Sequence, residues 1–336
     1  MNRQFVFIIP VVIIALFWAM ARYEARVARD SASRSFVQRN GLALSIFFIG
    51  AVAFWTLFMV TLPYLYMMQE SFHPTLWPKD RNGPKDVLTL EHYKFFIYGI
   101  QSGSETSYNV THLRAFAVTI LISLAVTIIN LVLCYPLAFY MAQVASMQKV
   151  RILMLALILP YWINEILRAF ALRILLASEG LINTFLQFTG LTGSSIDFLG
   201  NNVGLYVGLS YAYLLIMVFP LYNAVESLDK NQIEAARDLG APWWRIHKDV
   251  VIPYAKPGIA AGCTMVFMLS AGALAAPQFL GGPSTLWFTS IVYDFFFQSF
   301  NWARGSAYAL ILLAACILFV MAVLRGFKVS LGEAIR

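Results

Sequence analysis

The sequence predicts an all-α, polytopic bundle of membrane-crossing helices. Three observations carry that expectation. Of the 336 residues, 60% are hydrophobic and only 12% charged, and the mean hydropathy is +0.70, far from the composition of a water-soluble domain. The apolar residues fall in blocks close to the roughly 20 residues that a helix needs to cross a hydrocarbon layer about 30 Å thick. Runs of ten-residue alternating strands are absent from the sequence, which excludes a membrane barrel.

Seven blocks qualify as crossings, at about 5–21, 42–67, 115–144, 152–176, 203–225, 258–280 and 306–325. Basic residues orient them. Arg22, Arg26, Arg29, Arg34 and Arg39 follow the first block, and Lys149 and Arg151 precede the fourth. Lys230, Arg237, Arg245, Lys248 and Lys256 lie between the fifth and sixth, and Arg325, Lys328 and Arg336 close the chain. These alternate segments hold 15 of the 24 Lys and Arg residues, whereas 177–202 and 281–302 hold none. Basic loops stay in the cytoplasm, so the chain is expected to start outside, cross seven times and end inside. The net charge of +7 thus reflects topology, not nucleic-acid binding.

The first block has a competing reading as a signal peptide, because Ala19-Met20-Ala21 resembles a cleavage site. Cleavage there would place Arg22 to Arg39 outside and invert every later loop, so a retained anchor is expected. The segment "RYEARVARDSASRSFVQRN" reads as a basic surface helix or linker on anionic lipid. The interval at about 69–113 is turn-rich around Pro74, Pro78, Gly83 and Pro84. From Thr89 it becomes helical, with Leu90, Tyr93, Phe96 and Ile97 on one face.

The fourth block, "ILMLALILPYWINEILRAFALRILLA", carries charge where charge is costly. Pro160 removes a backbone hydrogen bond near the middle of the layer and is expected to break the helix there. Arg173 lies roughly 30 Å beyond Ile152 at about 1.5 Å per residue, which places it at the outer interface, where it snorkels. Glu165 and Arg168, three residues apart, either pair with each other or line a water-filled pathway with Trp162 and Asn164. Tyr211 and Asp294 are further pathway candidates, since carboxylates and aromatic faces suit an ammonium group; Arg168 would repel such a solute unless paired.

In the 178–202 loop, Leu181, Phe185 and Phe188 recur at helical spacing, as in an interfacial hairpin. The sixth block holds Gly262, Gly272 and Pro277 and is not expected to be straight. The aromatic run near 281–302 reads as an interfacial belt. Cys134, Cys263 and Cys316 lie inside apolar blocks and the four histidines are scattered, so neither a disulfide framework nor a metal site is expected.

The most polar organised stretch is cytoplasmic. Asp229 is an N-cap with Gln232 three residues on, as in a capping box. Asn231 to Leu239 favours helix, with Ala235 and Ala236 on a flat face, and Gly240 suits the left-handed position past its end. Pro242 starts a second helix at N1. Trp243, Trp244, Ile246 and Val250 give that helix its apolar contacts, and Pro253 is expected to end it before the next crossing. Periodicity alone leaves two readings: an amphipathic loop held at the headgroups, or a projecting helix pair.

The residues "EAARDLGAPWWRIHKDVVIP" resemble the EAA motif of the permease subunits of ABC importers, E-A-A-x3-G, nine further residues, then I-x-L-P. The match is at Glu234, Ala235, Ala236, Gly240, Val250, Ile252 and Pro253, with Val for Ile and Ile for Leu. From about 42 to 325 the chain also resembles the spermidine/putrescine type of permease, in "TLEHYKFF", "LCYPLAFYMAQ", "LPYWINEILRAFALRILLASEGLIN", "PLYNAVESLDK" and "GPSTLWFTSIV". The resemblance implies a type I importer permease with six core helices at 41–336 and a coupling loop at about 226–257. Residues 1–40 would form an extra N-terminal crossing with a basic linker, absent from the six-helix pattern. Glu234, Ala235, Ala236, Gly240, Ala241, Ile252 and Pro253 would then contact or shape the ATPase-coupling helix.

It further implies a bacterial inner-membrane location, a second homologous permease that is a different chain, two ATPase subunits that bind ATP-Mg, and an extracytoplasmic solute-binding protein. No cofactor is expected in this chain. None of its eight lysines follows a glycine, so it has no phosphate-binding Gly-Lys-Ser/Thr loop and is not expected to be an enzyme. Related subgroups handle opines, other amines, phosphonates or ferric solutes. An ion-coupled secondary transporter would account for Glu165 and the broken helices, but not for the coupling motif.

Overall fold

The computed structural model describes residues 42–75, 87–99, 108–282 and 285–329. The first apolar block and the basic segment to residue 40 lie outside the described residues. The chain divides into two units, Met1–Leu90 and Glu91–Arg336.

In the first unit, α1 (Leu42–Trp55) runs through a π turn at Thr56–Thr61 into α2 (Leu62–Ser71). The turn has a local cause. Pro63 lacks an N–H and its ring crowds the carbonyl four residues back, and the widened turn reroutes the bonding just before it. Phe47, Val52 and Phe54 are all more than half exposed, as expected of a helix apolar on every side.

The second unit is built on three long helices. They are α4 (Val110–Phe139), α8 (Val203–Glu226) and α11 (Ile252–Ala271). Val126, Cys134 and Ala138 of α4 meet Leu209, Met217, Val218 and Leu221 of α8 and Ala255 and Val266 of α11 in one buried cluster. Lipid tails are as apolar as these side chains, so close approach between helices supplies the packing energy. Gly258 sits against the Pro220 carbonyl, where an added Cβ would lie only 2.4 Å from its oxygen and 2.5 Å from the Ala224 Cβ. Gly258→Ala is therefore expected to destabilise the bundle by about 1–3 kcal/mol, read as a lower unfolding midpoint of the purified chain in detergent.

Between α4 and α8 the chain forms α5 (Met147–Ile158), a 3-10 turn at Leu159–Trp162, α6 (Glu165–Leu176) and α7 (Leu181–Phe188). The break expected at Pro160 is present: Ile163 and Asn164 are extended, and the Asn164 side chain caps α6 by accepting from the Ile166 N–H at 2.8 Å. In α7, Leu181, Phe185 and Phe188 are exposed, while buried Asn183 bonds the Ala177 and Ile196 carbonyls and closes the hairpin.

Short helices follow: α9 (Lys230–Asp238) and α10 (Trp243–Ile246) before α11, and α12 (Ala275–Leu280) and α13 (Phe288–Phe297) after it. The last helix is α14 (Trp302–Phe327), and α3 (Glu91–Tyr98) packs against it. The sixth block breaks at Gly272, as its composition suggests. Two local expectations are corrected. The packed face of α3 is His92, Phe95 and Phe96, with Ile97 exposed. The aromatic run is divided: Trp287 and Phe288 are fully buried, and Phe288 stacks with Tyr308. Tyr293, Phe297, Phe300 and Trp302 are exposed in the manner of a belt.

With the described residues supplying six helical segments long and apolar enough to cross a membrane, the six later blocks are recovered as helices. Their bounds shift where proline and glycine redirect the backbone.

Candidate functional site: a projecting helix pair and a cavity beside Glu165

The first site is the α9–α10 pair. The Asp229 carboxylate accepts from the Asn231 N–H at 3.0 Å and starts α9. Gly240 ends it with φ +76°, and a side chain there would meet nothing within 4 Å. Only the backbone conformation therefore asks for glycine. Glu234, Ala235 and Gly240 are exposed, and Leu239 at the tip is 88% exposed. Ile233 is buried, and Ala236 and Ala241 pack on the interior cluster, so the pair presents one face outward and roots the other.

Three expectations here are corrected. Pro242 is the N-cap of α10, one residue before the expected position. Pro253 does not end the helix: α10 continues through a π turn at His247–Val251 into α11. That turn precedes Pro253 as the one at Thr56–Thr61 precedes Pro63, and it absorbs the missing N–H in the same way. Ile252 and Pro253 are thus exposed at the start of α11, away from the tip. The tryptophans do not pack the second helix under the bundle either, since Trp243 and Trp244 are 71% and 56% exposed. Ile246, His247 and Val251 are the buried residues, and the Trp243 ring lies against the ring of His247.

The second site is a cavity of about 600 Å³ where the start of α6, Tyr213 of α8, the end of α11 and α12 converge. Asn164, Glu165, Tyr213, Gln278 and Phe279 line it. Glu165 takes one long hydrogen bond from the Tyr213 hydroxyl, at 3.4 Å. An ionised carboxylate has room for about four donors, so that one bond leaves most of the acceptor capacity of this half-buried lining residue unused.

Among the described residues, Glu165 and Arg168 form no ion pair. The Arg168 guanidinium lies 4.8 Å from the Tyr161 ring centre and 6.0 Å from that of Tyr211, and neither Nε nor Nη1 has a hydrogen-bond partner. Tyr161 is fixed by its own bond to the Ala212 carbonyl at 2.7 Å. Arg173 does not simply reach for water: it donates to the Phe279 carbonyl at 2.8 Å and ties α6 to α12.

Of the six pathway candidates, Asn164 and Glu165 line the cavity, and Arg168 and Tyr211 form a cation–π group beside it. Trp162, 85% exposed, and Asp294 on α13 are not among its lining residues. Tyr213 and Gln278 were not singled out from the sequence. The signal for each is thin, a second tyrosine two residues after Tyr211 and a lone amide after Pro277. Among the described residues no three His, Cys, Asp or Glu side chains gather as a metal site.

Comparison with known proteins places this architecture. The model of the family described as binding-protein-dependent transport system inner membrane component matches residues 135–328. The spermidine/putrescine transport system permease protein PotB of Haemophilus influenzae is 31% identical over 269 residues, covering 79% of this chain and 88% of that protein. PotB of Escherichia coli is 32% identical over 254 residues, covering 75% and 86%. In fold, a bacterial ABC transporter that imports the acidic polysaccharide alginate aligns with TM-score 0.64 at 17% identity, over 90% of this chain and 98% of that one. The same transporter in complex with an alginate pentasaccharide-bound periplasmic protein gives 0.66 at 16% identity, over 88% and 98%. The helical order, the projecting pair at the EAA spacing and these matches together mean that the chain belongs to the binding-protein-dependent transport system inner membrane component family, the permease subunits of ABC importers.

Proposed function

We propose that this permease carries a small cationic solute, with a polyamine such as spermidine or putrescine as the best fit, through the cavity beside Glu165. The carrying observation is that carboxylate, which takes one long hydrogen bond and lines a mainly apolar cavity. Leaving it so in a membrane is costly unless water or a cation meets it. Arg168, which would otherwise repel such a solute, lies outside the cavity lining, against two tyrosine rings. The PotB relatives support the same class, and an anionic phosphonate suits the Glu165 side poorly.

In this reading α9 and α10 face the cytoplasm and dock on an ATPase subunit that binds ATP-Mg. Glu234, Ala235 and Gly240 lie at the contact, and Ala236 and Ala241 root the pair. A second permease of different sequence completes the pathway, and a solute-binding protein delivers from outside. Closure of the ATPase pair displaces the docked helices as a rigid body and turns the bundle outward. The N-terminus lies outside and the C-terminus inside, as the basic loops require.

The test is reconstitution of the complete transporter in proteoliposomes. Uptake of labelled putrescine or spermidine is expected only with internal ATP and with loaded binding protein outside. Uptake that persists without the ATPase subunits would instead identify an ion-coupled carrier. ATP-dependent uptake of an opine or phosphonate but of no polyamine would overturn the substrate assignment.

A further inference from the structure

His247 is 6% exposed and opens the π turn at His247–Val251. Its ring centre is 4.2 Å from that of exposed Trp243 and 4.4 Å from that of Phe139 on α4. Its Nδ1 lies 2.7 Å from the hydroxyl of Tyr135, also on α4. A continuous line of ring contacts thus runs from the solvent-facing side of the projecting pair into a transmembrane helix. Phe139 is the last residue of α4 before a second π turn, Tyr140–Val144. The two helices are therefore joined where each carries a widened turn, the irregularity through which a helix changes register at functional sites.

The far end of α4 is held in a similar way. His112 Nδ1 lies 2.7 Å from the Tyr308 hydroxyl of α14, and the Thr119 hydroxyl accepts from the Phe288 N–H of α13. A histidine–tyrosine contact sits toward each end of one helix of 30 residues, a rod of roughly 45 Å.

We propose that His247 is a positioning residue for energy coupling, passing displacement of the docked α9–α10 pair to α4 and, along α4, to α13 and α14. The inference rests on the coupling role of that pair proposed above. The ring supplies the contact that carries the push. The Tyr135 bond holds the ring in one orientation, so that motion of α10 moves α4 instead of turning a side chain. Packed interiors transmit such shifts because they deform little, and π turns are irregularities that recur at functional sites.

The experiment measures solute imported per ATP hydrolysed in the complete reconstituted transporter, together with retention of the ATPase subunits on purification. His247→Ala is expected to lower the ratio by at least about fivefold, the low end of ordinary coupling energies, with ATPase subunits retained and basal hydrolysis unchanged. His247→Phe, which keeps a ring, is expected to recover most of the ratio. His247→Leu, of similar bulk without a ring, is expected to behave like alanine. Tyr135→Phe is expected to add nothing in the alanine background. A wild-type ratio in His247→Ala, or equal ratios for the Phe and Leu variants, overturns the proposal. The Phe–Leu comparison decides the matter if the alanine variant fails to assemble. Should Gly240→Trp and Glu234→Arg leave stimulation by binding protein intact, the coupling role of the pair itself falls; should they abolish it while His247→Ala behaves as wild type, only the present inference falls.

Discussion

Gly240→Trp is expected to abolish the stimulation of ATP hydrolysis by loaded binding protein, and Glu234→Arg to do nearly the same. The first effect follows from the geometry of the turn. Gly240 holds φ +76° at an exposed tip with open space around it. A side chain there costs roughly 1–2 kcal/mol of backbone strain, too little to unfold a bundle anchored by α4, α8 and α11. What changes is the surface, where an indole would stand beside exposed Leu239 on the face proposed to meet the ATPase. Glu234 is exposed on the same helix, and reversing its charge places an unpaired cation at the contact. Gly240→Ala separates the causes, because it carries the strain without the bulk and is expected to keep most of the stimulation. The assay is the ATPase rate of the reconstituted complex with and without loaded binding protein. Full stimulation in both the Trp and Arg variants would remove the docking role from α9 and α10.

Glu165→Gln is expected to slow uptake of putrescine or spermidine about tenfold, equivalent to about 1.4 kcal/mol. The substitution keeps size and hydrogen bonding and removes only charge. A carboxylate and an ammonium a few ångströms apart attract by roughly 4 kcal/mol at an effective dielectric near 20, and desolvation of the solute offsets much of that. The Tyr213 contact survives, since an amide oxygen also accepts, so a folding defect is not expected. Initial uptake rates in proteoliposomes at saturating ATP report the effect. An unchanged rate would mean that the solute passes Glu165 without meeting its charge.

Local chemistry made the projecting pair legible before any coordinates. Asp229 caps, Gly240 turns and the EAA spacing connects them, and all three are signals carried within a few residues. The six later crossings were legible for the same reason, since each is a run long enough to announce itself. Tyr213, Gln278 and His247 were not, because their roles depend on which helices lie side by side. His247 acquires its partners from Tyr135 and Phe139, 112 residues away in the first case, and nothing local encodes that meeting. The aromatic run from Trp287 divides for a related reason: rings that suit a lipid interface also suit a packed interior, and contact with Phe96 and Tyr308 claims Phe288 for the interior. Pro253 misled because its usual meaning, a helix stop, assumes that the preceding turn is an ordinary one.

That preceding turn has a consequence for direction. A π turn holds one residue more than the α-helix requires, and one residue of α-helix corresponds to a rotation of about 100° and an advance of about 1.5 Å. The widened turn at His247–Val251 takes up its extra residue within its own circuit, so α10 and α11 stay nearly in phase across it. A chain one residue shorter at this point would keep its apolar crossings, its caps and its motif letters. With the turn closed to an ordinary α turn, α10 would keep nearly its present bearing on α11, so the widened turn is a place where this helix can gain or lose one residue without re-aiming the helix pair before it.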